Sequence, residues 1–242
     1  MIQAAIARVR GTGDHGLLQV SVELADQLDT GDGDPALAMA LVELFRETDN
    51  RRHLELARDI VGAHGPATMV DHLAAGAADV AIEQDDRDLL DALARHDPTG
   101  SAGLPWAWRM LLATGEPHYA DLAEGMLDGA DTRTLSSLDS YLATTDADGV
   151  QLHLYAQSQV AARLGDGQIH LTVETDYPRD QTIRVTVDQT PPREWTLSIH
   201  VPAWAGQAQL RVHGGRQRAW AGAYADTVRK WQPGDVVDLV LR

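Results

Sequence analysis

The amino-acid pattern changes character once, near residues 146–149, and this change constrains the fold more than any other feature of the sequence. Before it, apolar residues, mostly alanine and leucine, recur at the three- and four-residue spacing of helices. After it, β-branched residues alternate with polar ones, as in strands with one buried face. A chain of 242 residues can hold two modest domains, each with a core. The sequence therefore predicts a helical domain over residues 1–146 and a β domain over residues 147–242.

Helical periodicity and breaker residues divide the first part into short helices. Pro35 suits the first turn of one helix, and Asp49 is predicted to cap the next. The predicted helices span residues 15–29, 35–46, 50–61, 67–83, 87–95, 104–113, 118–127 and 132–143. The second and third helices resemble the sixth and seventh in layout, and such repeated hairpins build α/α toroids and solenoids.

The second part predicts an antiparallel β-sandwich, because short alternating segments follow one another at regular spacing. Glycine-rich turns at residues 165–167 and 213–215 are typical of hairpins. The predicted strands span residues 150–155, 158–164, 168–174, 182–187, 194–200, 208–213, 224–231 and 236–241.

Composition excludes several classes of function. The formal net charge of -16 disfavours nucleic acid and anionic membrane surfaces as partners, although acidity also simply keeps a protein in solution. With no cysteine, the chain forms no disulfide and has no thiolate chemistry. No signal-like or membrane-length apolar segment stands out, so we expect a cytoplasmic protein unless a leader was removed.

Several motifs occur in one order along most of the chain. They are Trp106-Ala107-Trp108-Arg109, Glu174-Thr175-Asp176-Tyr177-Pro178, Val201-Pro202-Ala203-Trp204-Ala205 and Trp231-Gln232-Pro233-Gly234-Asp235. This series resembles glycoside hydrolase family 127, the β-L-arabinofuranosidase-like family. The resemblance implies an (α/α) barrel followed by β-sandwich modules. A full double ring needs twelve helices, so eight predict an incomplete toroid, whose open apolar faces favour a homodimer.

The resemblance also implies a cysteine nucleophile and cysteine zinc ligands, neither of which this chain can supply. Asp34-Pro35 stands where the family has His-Pro, and residues 65–69 replace its Gly-His-x-x-Arg run. An ungapped comparison puts His96 and Pro98 at its Glu-x-Cys zinc ligands. The loop with the acid/base glutamate and the twin-cysteine segment are largely missing. A retaining glycosidase needs a nucleophile and a proton donor, so the family's mechanism cannot operate here, and we expect no metal or other cofactor.

Other side chains could still form a site. His96 and Asp97 could meet His64 or His72, although scattered histidines are the stronger interpretation. Trp106 and Trp108 lie two residues apart on one helix, so at least one is predicted to pack in the core, while a stacking platform is the alternative. Arg109 is predicted to pair with an acidic neighbour. The catalytic residues stay unknown, and the candidate ligand-binding residues are Asp34, His96, Asp97, Trp106 and Trp108.

Three hypotheses about function follow. The first is a non-catalytic descendant of the family that binds carbohydrate or acts as a scaffold. The second is a repurposed enzyme acting on a small molecule, possibly in biosynthesis, in the shortened helical groove. The third, ranked last, is a glycosidase that uses carboxylates alone. A repurposed enzyme predicts a closed pocket with convergent polar groups at the helix ends near Asp34, Pro66 and His96.

Overall fold

The computed structural model describes residues 2–28, 34–64, 69–130 and 132–242. The chain divides into two compact units, Met1–Gly115 and Glu116–Arg242. The change from helix to strand falls at Ala143, close to the predicted change of pattern. The helical residues from Glu116 to that point lie in the second unit, and the domain boundary between residues 146 and 147 stays a prediction.

The first unit is built from helices around one central helix. Its helices are α1 (Ile2–Thr12), α2 (Gly16–Asp26), α3 (Ala36–Thr48), α4 (Arg51–Ala63), α5 (Asp71–Gln84), α6 (Arg87–Leu93) and α7 (Leu104–Thr114), with a short 3-10 helix over Gly100–Gly103. Helix α5 contacts α3, α4, α6 and α7. In the described ranges, no helix has both the length and the apolar character to cross a membrane.

The position of α5 follows from its composition. Every residue from Leu73 to Ala81 is buried, and most of them are alanine or glycine. Small side chains let neighbouring helices approach closely on several sides. At Gly76 the approach is closest, because an added Cβ would lie 2.7 Å from the Cβ of Ala38 and 2.8 Å from the backbone nitrogen of Met39. Helix α3 therefore packs directly against the backbone of α5.

Local capping sets the hairpin between α3 and α4, and it differs from the prediction. Asn50, not Asp49, caps α4, since its side chain accepts a hydrogen bond from the backbone of Arg52. Asp49 instead ends α3 in the left-handed conformation with φ 54°. Asparagine and aspartate both suit either position, so the sequence alone did not separate the two roles.

Further helices depart from the predicted pattern. Helix α1 was not predicted at all, and α2 exposes the side chains of Leu17, Val20 and Leu24. The predicted end of the first helix at residue 29 and the predicted start of the fourth at 67 lie outside the described residues. The predicted helix over residues 132–143 is wrong in its second half. Helix α9 (Thr132–Ser136) gives way to a 3-10 turn (Leu138–Tyr141), and residue 143 begins a strand.

The second unit combines α8 (His118–Leu127), α9 and two β-sheets. The strands are β1 (Ala143–Thr145), β2 (Gly149–Leu152), β3 (Ser158–Leu164), β4 (Gly167–Glu174), β5 (Thr182–Gln189), β6 (Trp195–Val201), β7 (Ala208–Val212), β8 (Gly215–Ala219), β9 (Ala223–Arg229) and β10 (Val236–Val240). One sheet has the order β1-β2-β6-β9 and the other β3-β4-β5-β10-β7-β8. Strands β1 and β8 were not predicted.

A shared apolar core joins the inner faces of the two sheets. It contains alternate residues of the central strands, such as Val185 and Leu239, and the rings of Trp195 and Trp231, whose centroids lie 5.4 Å apart. The two-sheet arrangement matches the predicted β-sandwich. One pairing corrects the prediction, because β2 and β6 run parallel and the smaller sheet is therefore mixed.

The contact at Gly76 gives a test of the helical packing. We expect Gly76→Ala to lower the free energy of unfolding by about 1–3 kcal/mol, because the added methyl must push α3 away from α5. The matched control is Gly62→Ala in α4, where an added Cβ meets no atom within 4 Å. Urea denaturation followed by the helical circular dichroism signal measures both variants. Equal stability of the two variants would contradict the close contact.

Candidate functional site

In the helical unit, His96 lies just after α6 and is held by Asp71 at the start of α5. Its Nε2 is 2.8 Å from Oδ1 of Asp71. The hydroxyl of Thr99 donates to Oδ2 of the same carboxylate at 2.7 Å, and the Thr99 backbone N–H donates to it as well. Burial alone would raise the pKa of Asp71, but the hydrogen bonds from Thr99 and His96 lower it below its ordinary value. The imidazole is thus fixed in one orientation.

The tryptophans of α7 lie in the interior. Trp106 is 1% exposed and Trp108 is 9% exposed, which confirms that at least one of them packs in the core. The Trp106 ring meets the edge of the His96 ring at a centroid distance of 5.2 Å. Buried rings of this kind support a neighbouring side chain, and a ligand-stacking role for Trp106 or Trp108 stays a prediction.

A cavity of about 450 Å³ lies among α4, α5 and α6. Its apolar lining comes from Val61, Met69, Val80, Leu89 and Leu93. Its polar lining comes from Arg58, His64, Gln84, Asp86, Arg95 and His96. The cavity therefore has both His96 and His64 in its lining, whereas Asp97, the other member of the predicted combination, is not among the lining residues. Among the described lining residues, Asp86 has the one carboxylate. This carboxylate caps α6 by accepting a hydrogen bond from the backbone N–H of Leu89.

The two predicted aspartates lie differently. Asp34 is exposed, and its Oδ1 accepts a hydrogen bond from the backbone of Ala36 at 3.0 Å, in the first turn of α3. Asp97 is exposed beside His96. Neither belongs to the described lining of the cavity. Pro66, which was also predicted to lie at the pocket, is outside the described residues. Ligand binding by Asp34 and Asp97 stays a prediction.

Arg109 pairs with an acidic neighbour, as predicted. Its Nε donates to Oδ2 of Asp79 at 2.5 Å, and Arg46 donates to Oδ1 of the same carboxylate at 3.0 Å. Glu43 and Glu83 surround Arg46 at 2.6 Å each. Burial opposes the charge of Arg46, yet Asp79 and these glutamates raise its pKa above the ordinary value. This network ties α3, α5 and α7 together and has a structural role.

The residues at the positions of the family's zinc ligands do not fit that metal. Pro98 has no ligand atom in its side chain, so of these two residues only His96 could bind zinc, through Nδ1, because its Nε2 is bonded to Asp71. Across the described ranges, no group of three or more histidine, aspartate or glutamate side chains comes together to hold a metal ion.

The second unit contains a cluster of aromatic rings and carboxylates that we call the Trp204 platform, formed by Asp121, Glu124, Tyr177 and Trp204. The rings of Tyr177 and Trp204 lie nearly parallel, with planes 21° apart and centroids 6.4 Å apart. Oε1 of Glu124 accepts hydrogen bonds from the Tyr177 hydroxyl and from Nε1 of Trp204. The glutamate thereby fixes both rings, while the Trp204 side chain stays 49% exposed.

Asp121 lies three residues before Glu124 on α8 and binds the same loop. Its Oδ1 accepts from the backbone N–H of Ala203 at 2.8 Å and lies 3.5 Å from Nε2 of His200. Burial raises the pKa of Glu124, and the nearby charge of Asp121 adds to that rise. The platform therefore combines an exposed indole with two partly buried carboxylates.

Behind the platform, His153 is buried between two hydroxyl groups. Its Nε2 lies 2.7 Å from Oγ1 of Thr144, and its Nδ1 bonds the Tyr224 hydroxyl. Burial, and to a smaller extent the neighbouring His200, lower the pKa of His153 to about 3. Both ring nitrogens are used in packing, so His153 supports the fold and offers no free acid–base group.

The predicted ligand-binding residues did not include the platform. Tyr177 and Trp204 both lie in motifs that carried the family resemblance, which was the available signal. Asp121 and Glu124 lie at i and i+3 on a predicted helix, which places them on one face. Their pairing with Ala203 and Tyr177 joins residues 82 and 53 positions apart in the chain, so no local pattern showed it.

Comparison with solved structures shows first what the fold is similar to. The whole chain matches solved glycoside hydrolase structures in fold. One of them, described as a glycoside hydrolase, has a TM-score of 0.86 at 23% sequence identity. The match covers 100% of this chain and 63% of that chain. A comparison with curated protein sequences found no significant match.

Two further solved structures and a sequence model show what the chain resembles in more detail. A β-L-arabinofuranosidase of glycoside hydrolase family 127 from Geobacillus stearothermophilus T6 has a TM-score of 0.83 at 18% identity, with 100% of this chain and 60% of that chain covered. A family 127 β-arabinofuranosidase has a TM-score of 0.83 at 17% sequence identity, with 100% of this chain and 58% of that chain covered. Residues 149–242 match the model of the β-L-arabinofuranosidase, GH127 middle domain. The resemblance to family 127 is therefore confirmed, and the chain spans about three fifths of these solved chains.

The buried His153 predicts how acid affects the second unit. Because its pKa is about 3 in the folded chain and ordinarily 6.5, unfolding takes up a proton between those values. The stability that neutral His153 supports is therefore lost as the pH falls from about 6.5 towards about 3. We expect His153→Gln to lose less stability over this window than the unmodified chain. Urea denaturation at a series of pH values, followed by the β-sheet dichroism, measures the difference.

The control is His118→Gln, which changes a histidine whose side chain is 54% exposed and should leave the pH profile unchanged. Parallel profiles for His153→Gln and the unmodified chain would mean that His153 is not kept neutral by the fold.

Proposed function

We propose that this chain is a carbohydrate-binding protein on a family 127 scaffold that does not hydrolyse its ligand. The Trp204 platform carries the proposal, because it combines an exposed ring of fixed orientation with hydrogen-bond acceptors beside it. The absence of cysteine supports the absence of hydrolysis, since the family's mechanism requires a thiolate.

The geometry of Trp204 suits the apolar face of a sugar ring. Its indole is anchored by Nε1 on Glu124 and supported by the ring of Tyr177, so little side-chain freedom is lost on binding. An anchored aromatic ring presents a rigid apolar surface, while its polar edge stays hydrogen-bonded. A sugar stacked there would lie beside the carboxylates of α8.

Those carboxylates can accept hydrogen bonds from sugar hydroxyls. Among the described residues, the hydrogen bonds use Oε1 of Glu124 and Oδ1 of Asp121, which leaves the second oxygen of each for a ligand. The same arrangement argues against a carboxylate-only glycosidase. Such an enzyme places its two carboxylates on opposite sides of the scissile bond, whereas these two lie side by side on one helix and hold loops.

The proposal predicts that Trp204→Ala weakens binding of an L-arabinofuranosyl oligosaccharide by about tenfold or more, since a stacked ring is worth roughly 1.4 kcal/mol. The probe follows from the substrate named for the family. Isothermal titration calorimetry measures the affinity, and chromatography of the same mixtures should show no released L-arabinose.

Val228→Ala is the control, because Val228 is also an exposed apolar side chain, at 65%, but lies outside the platform. An equal loss in both variants, or binding that survives Trp204→Ala, would exclude the platform as the site. Released L-arabinose would contradict the non-hydrolytic half of the proposal.

The cavity below His96 supports a second candidate function, the binding or conversion of a small molecule. Its apolar lining residues, together with the lining arginines Arg58 and Arg95, favour an anionic ligand with an apolar body. The fixed imidazole of His96 could act on such a ligand, with Asp71 as a positioning residue. We place this candidate second because no nucleophile lies beside His96 in the described lining.

Filling the cavity tests this candidate. Gly62 lines the cavity, and a Cβ added there meets no atom within 4 Å. We expect Gly62→Phe to reduce binding of the anionic dye anilinonaphthalene sulfonate about tenfold, measured by fluorescence titration. Gly11→Phe, on an open part of α1, is the control and should bind the dye normally. Dye binding that Gly62→Phe leaves unchanged would show that the cavity is not the dye site.

We propose that the helices form an incomplete toroid and that a second copy of the chain covers apolar helix surface. Support comes from the stripe of Leu17, Val20 and Leu24 on α2, which lies exposed at helical spacing. The net charge of -16 supports the further proposal that nucleic acid and anionic membranes are not partners.

A further inference from the structure

The β7–β8 hairpin concentrates positive charge on a chain that is otherwise strongly acidic. Strand β8 lies at the edge of the six-stranded sheet and has the sequence Gly-Arg-Gln-Arg-Ala. Arg216 and Arg218 are both exposed on it, and Trp220 follows directly. An edge strand with such a composition is protected against pairing with other strands, but it also forms a defined basic surface.

The register places these arginines on one face of the sheet. Arg218 pairs with Gln209 of β7, and Arg216 pairs with Arg211. The alternate residues, Ala208 and Leu210, are buried in the core of the sandwich. Residues directly opposite one another on paired strands share a face. The outer face of the hairpin is therefore formed by arginine and glutamine.

The positive charge on this face is only partly balanced. Next to Arg211, Asp238 of β10 is bound bidentately by Arg184 at 2.7 and 3.2 Å. Among the residues that the structure describes, the ion pairs of the β strands and their turns involve Arg184, His200, His213 and Arg229, and none involves Arg216 or Arg218. Two guanidinium groups are thus available to an anionic ligand.

A cavity of about 310 Å³ lies on this hairpin, and the arginines contribute to its wall. The lining residues are Gln207, Ala208, Gln209, Arg216, Gln217 and Arg218. Glutamine amides both donate and accept hydrogen bonds, so they match hydroxyl groups. The guanidinium carbon of Arg218 lies 4.0 Å from the centroid of the Trp220 ring. This cation–π contact orients the guanidinium and supports one face of the indole, while Trp220 stays 63% exposed.

We propose that the β7–β8 hairpin binds a short acidic oligosaccharide, with uronate carboxylates on Arg216 and Arg218. Guanidinium groups bind carboxylates bidentately, the glutamine amides would meet the sugar hydroxyls, and a ring would stack on Trp220. The inference goes beyond the carbohydrate binding proposed at Trp204 and uses different residues, so either can fail alone.

The net charge limits the length of this ligand. At physiological ionic strength charges are screened over about 8 Å, so a ligand confined to the hairpin experiences mainly its arginines. A long polyanion would extend over the acidic remainder of the chain and be repelled. We therefore expect a trisaccharide to bind at least as tightly, per mole of sites, as a long polyuronate.

The test is calorimetric titration of the full chain with a galacturonic acid trisaccharide and with the neutral galactose trisaccharide. We expect the acidic sugar to bind at least about tenfold more tightly than the neutral one. The double change Arg216→Gln with Arg218→Gln, and separately Trp220→Ala, should each weaken binding of the acidic sugar by at least about tenfold. The double change Arg216→Lys with Arg218→Lys keeps the positive charge but cannot bind a carboxylate bidentately. Its affinity for the acidic sugar should therefore lie between that of the unmodified chain and that of the double glutamine variant.

Arg163→Gln is the matched control, because Arg163 is exposed on β3 at the opposite edge of the same sheet. It should bind the acidic sugar normally, and circular dichroism confirms that each variant is folded. The proposal is overturned by equal affinity for the acidic and neutral sugars, by no binding to the unmodified chain, or by binding that the Arg216 and Arg218 changes leave intact. Tighter binding of the long polyuronate would overturn the limit on length.

Discussion

The helical unit depends on one buried carboxylate. Asp79 of the central helix is 2% exposed and is bonded to Arg46 of α3 and Arg109 of α7, so one side chain ties together three helices. Small residues along α5 permit the close approach of its neighbours, and the ion pairs fix their rotation. Removing one partner from such a group leaves a buried charge without compensation, which typically costs about 3–5 kcal/mol. The network thus makes the packing specific.

The second unit uses acidic side chains in a comparable way. Asp121 and Glu124 on α8 bind the loops that contain Ala203, Trp204 and Tyr177, and in doing so they fix the orientation of two aromatic rings. The same contacts that stabilise the loops therefore build a rigid surface for a ligand. A scaffold can keep its architecture while its chemistry changes, because fold and function depend on different residues.

Much of the fold could be predicted from periodicity, because most helices and strands here bury one face. Strand β8 escaped prediction since its Arg-Gln-Arg segment has no apolar alternation, and the parallel pairing of β2 with β6 depends on contacts distant in sequence. Of the site, His96 could be proposed from its position relative to the family's ligands, and it does line a cavity. The partners Glu124 and Tyr177 could not be joined by local reasoning, because tertiary folding brings them together.

The attachment of α8 has a consequence for choosing expression boundaries. Residues 149–242 match a family model by sequence, yet the compact unit begins at Glu116. A fragment cut at the start of the matched segment would lack both α8 carboxylates, leaving the Tyr177 hydroxyl and Nε1 of Trp204 without their shared hydrogen-bond acceptor. A recombinant β module intended for ligand screening should therefore retain α8 at its amino terminus.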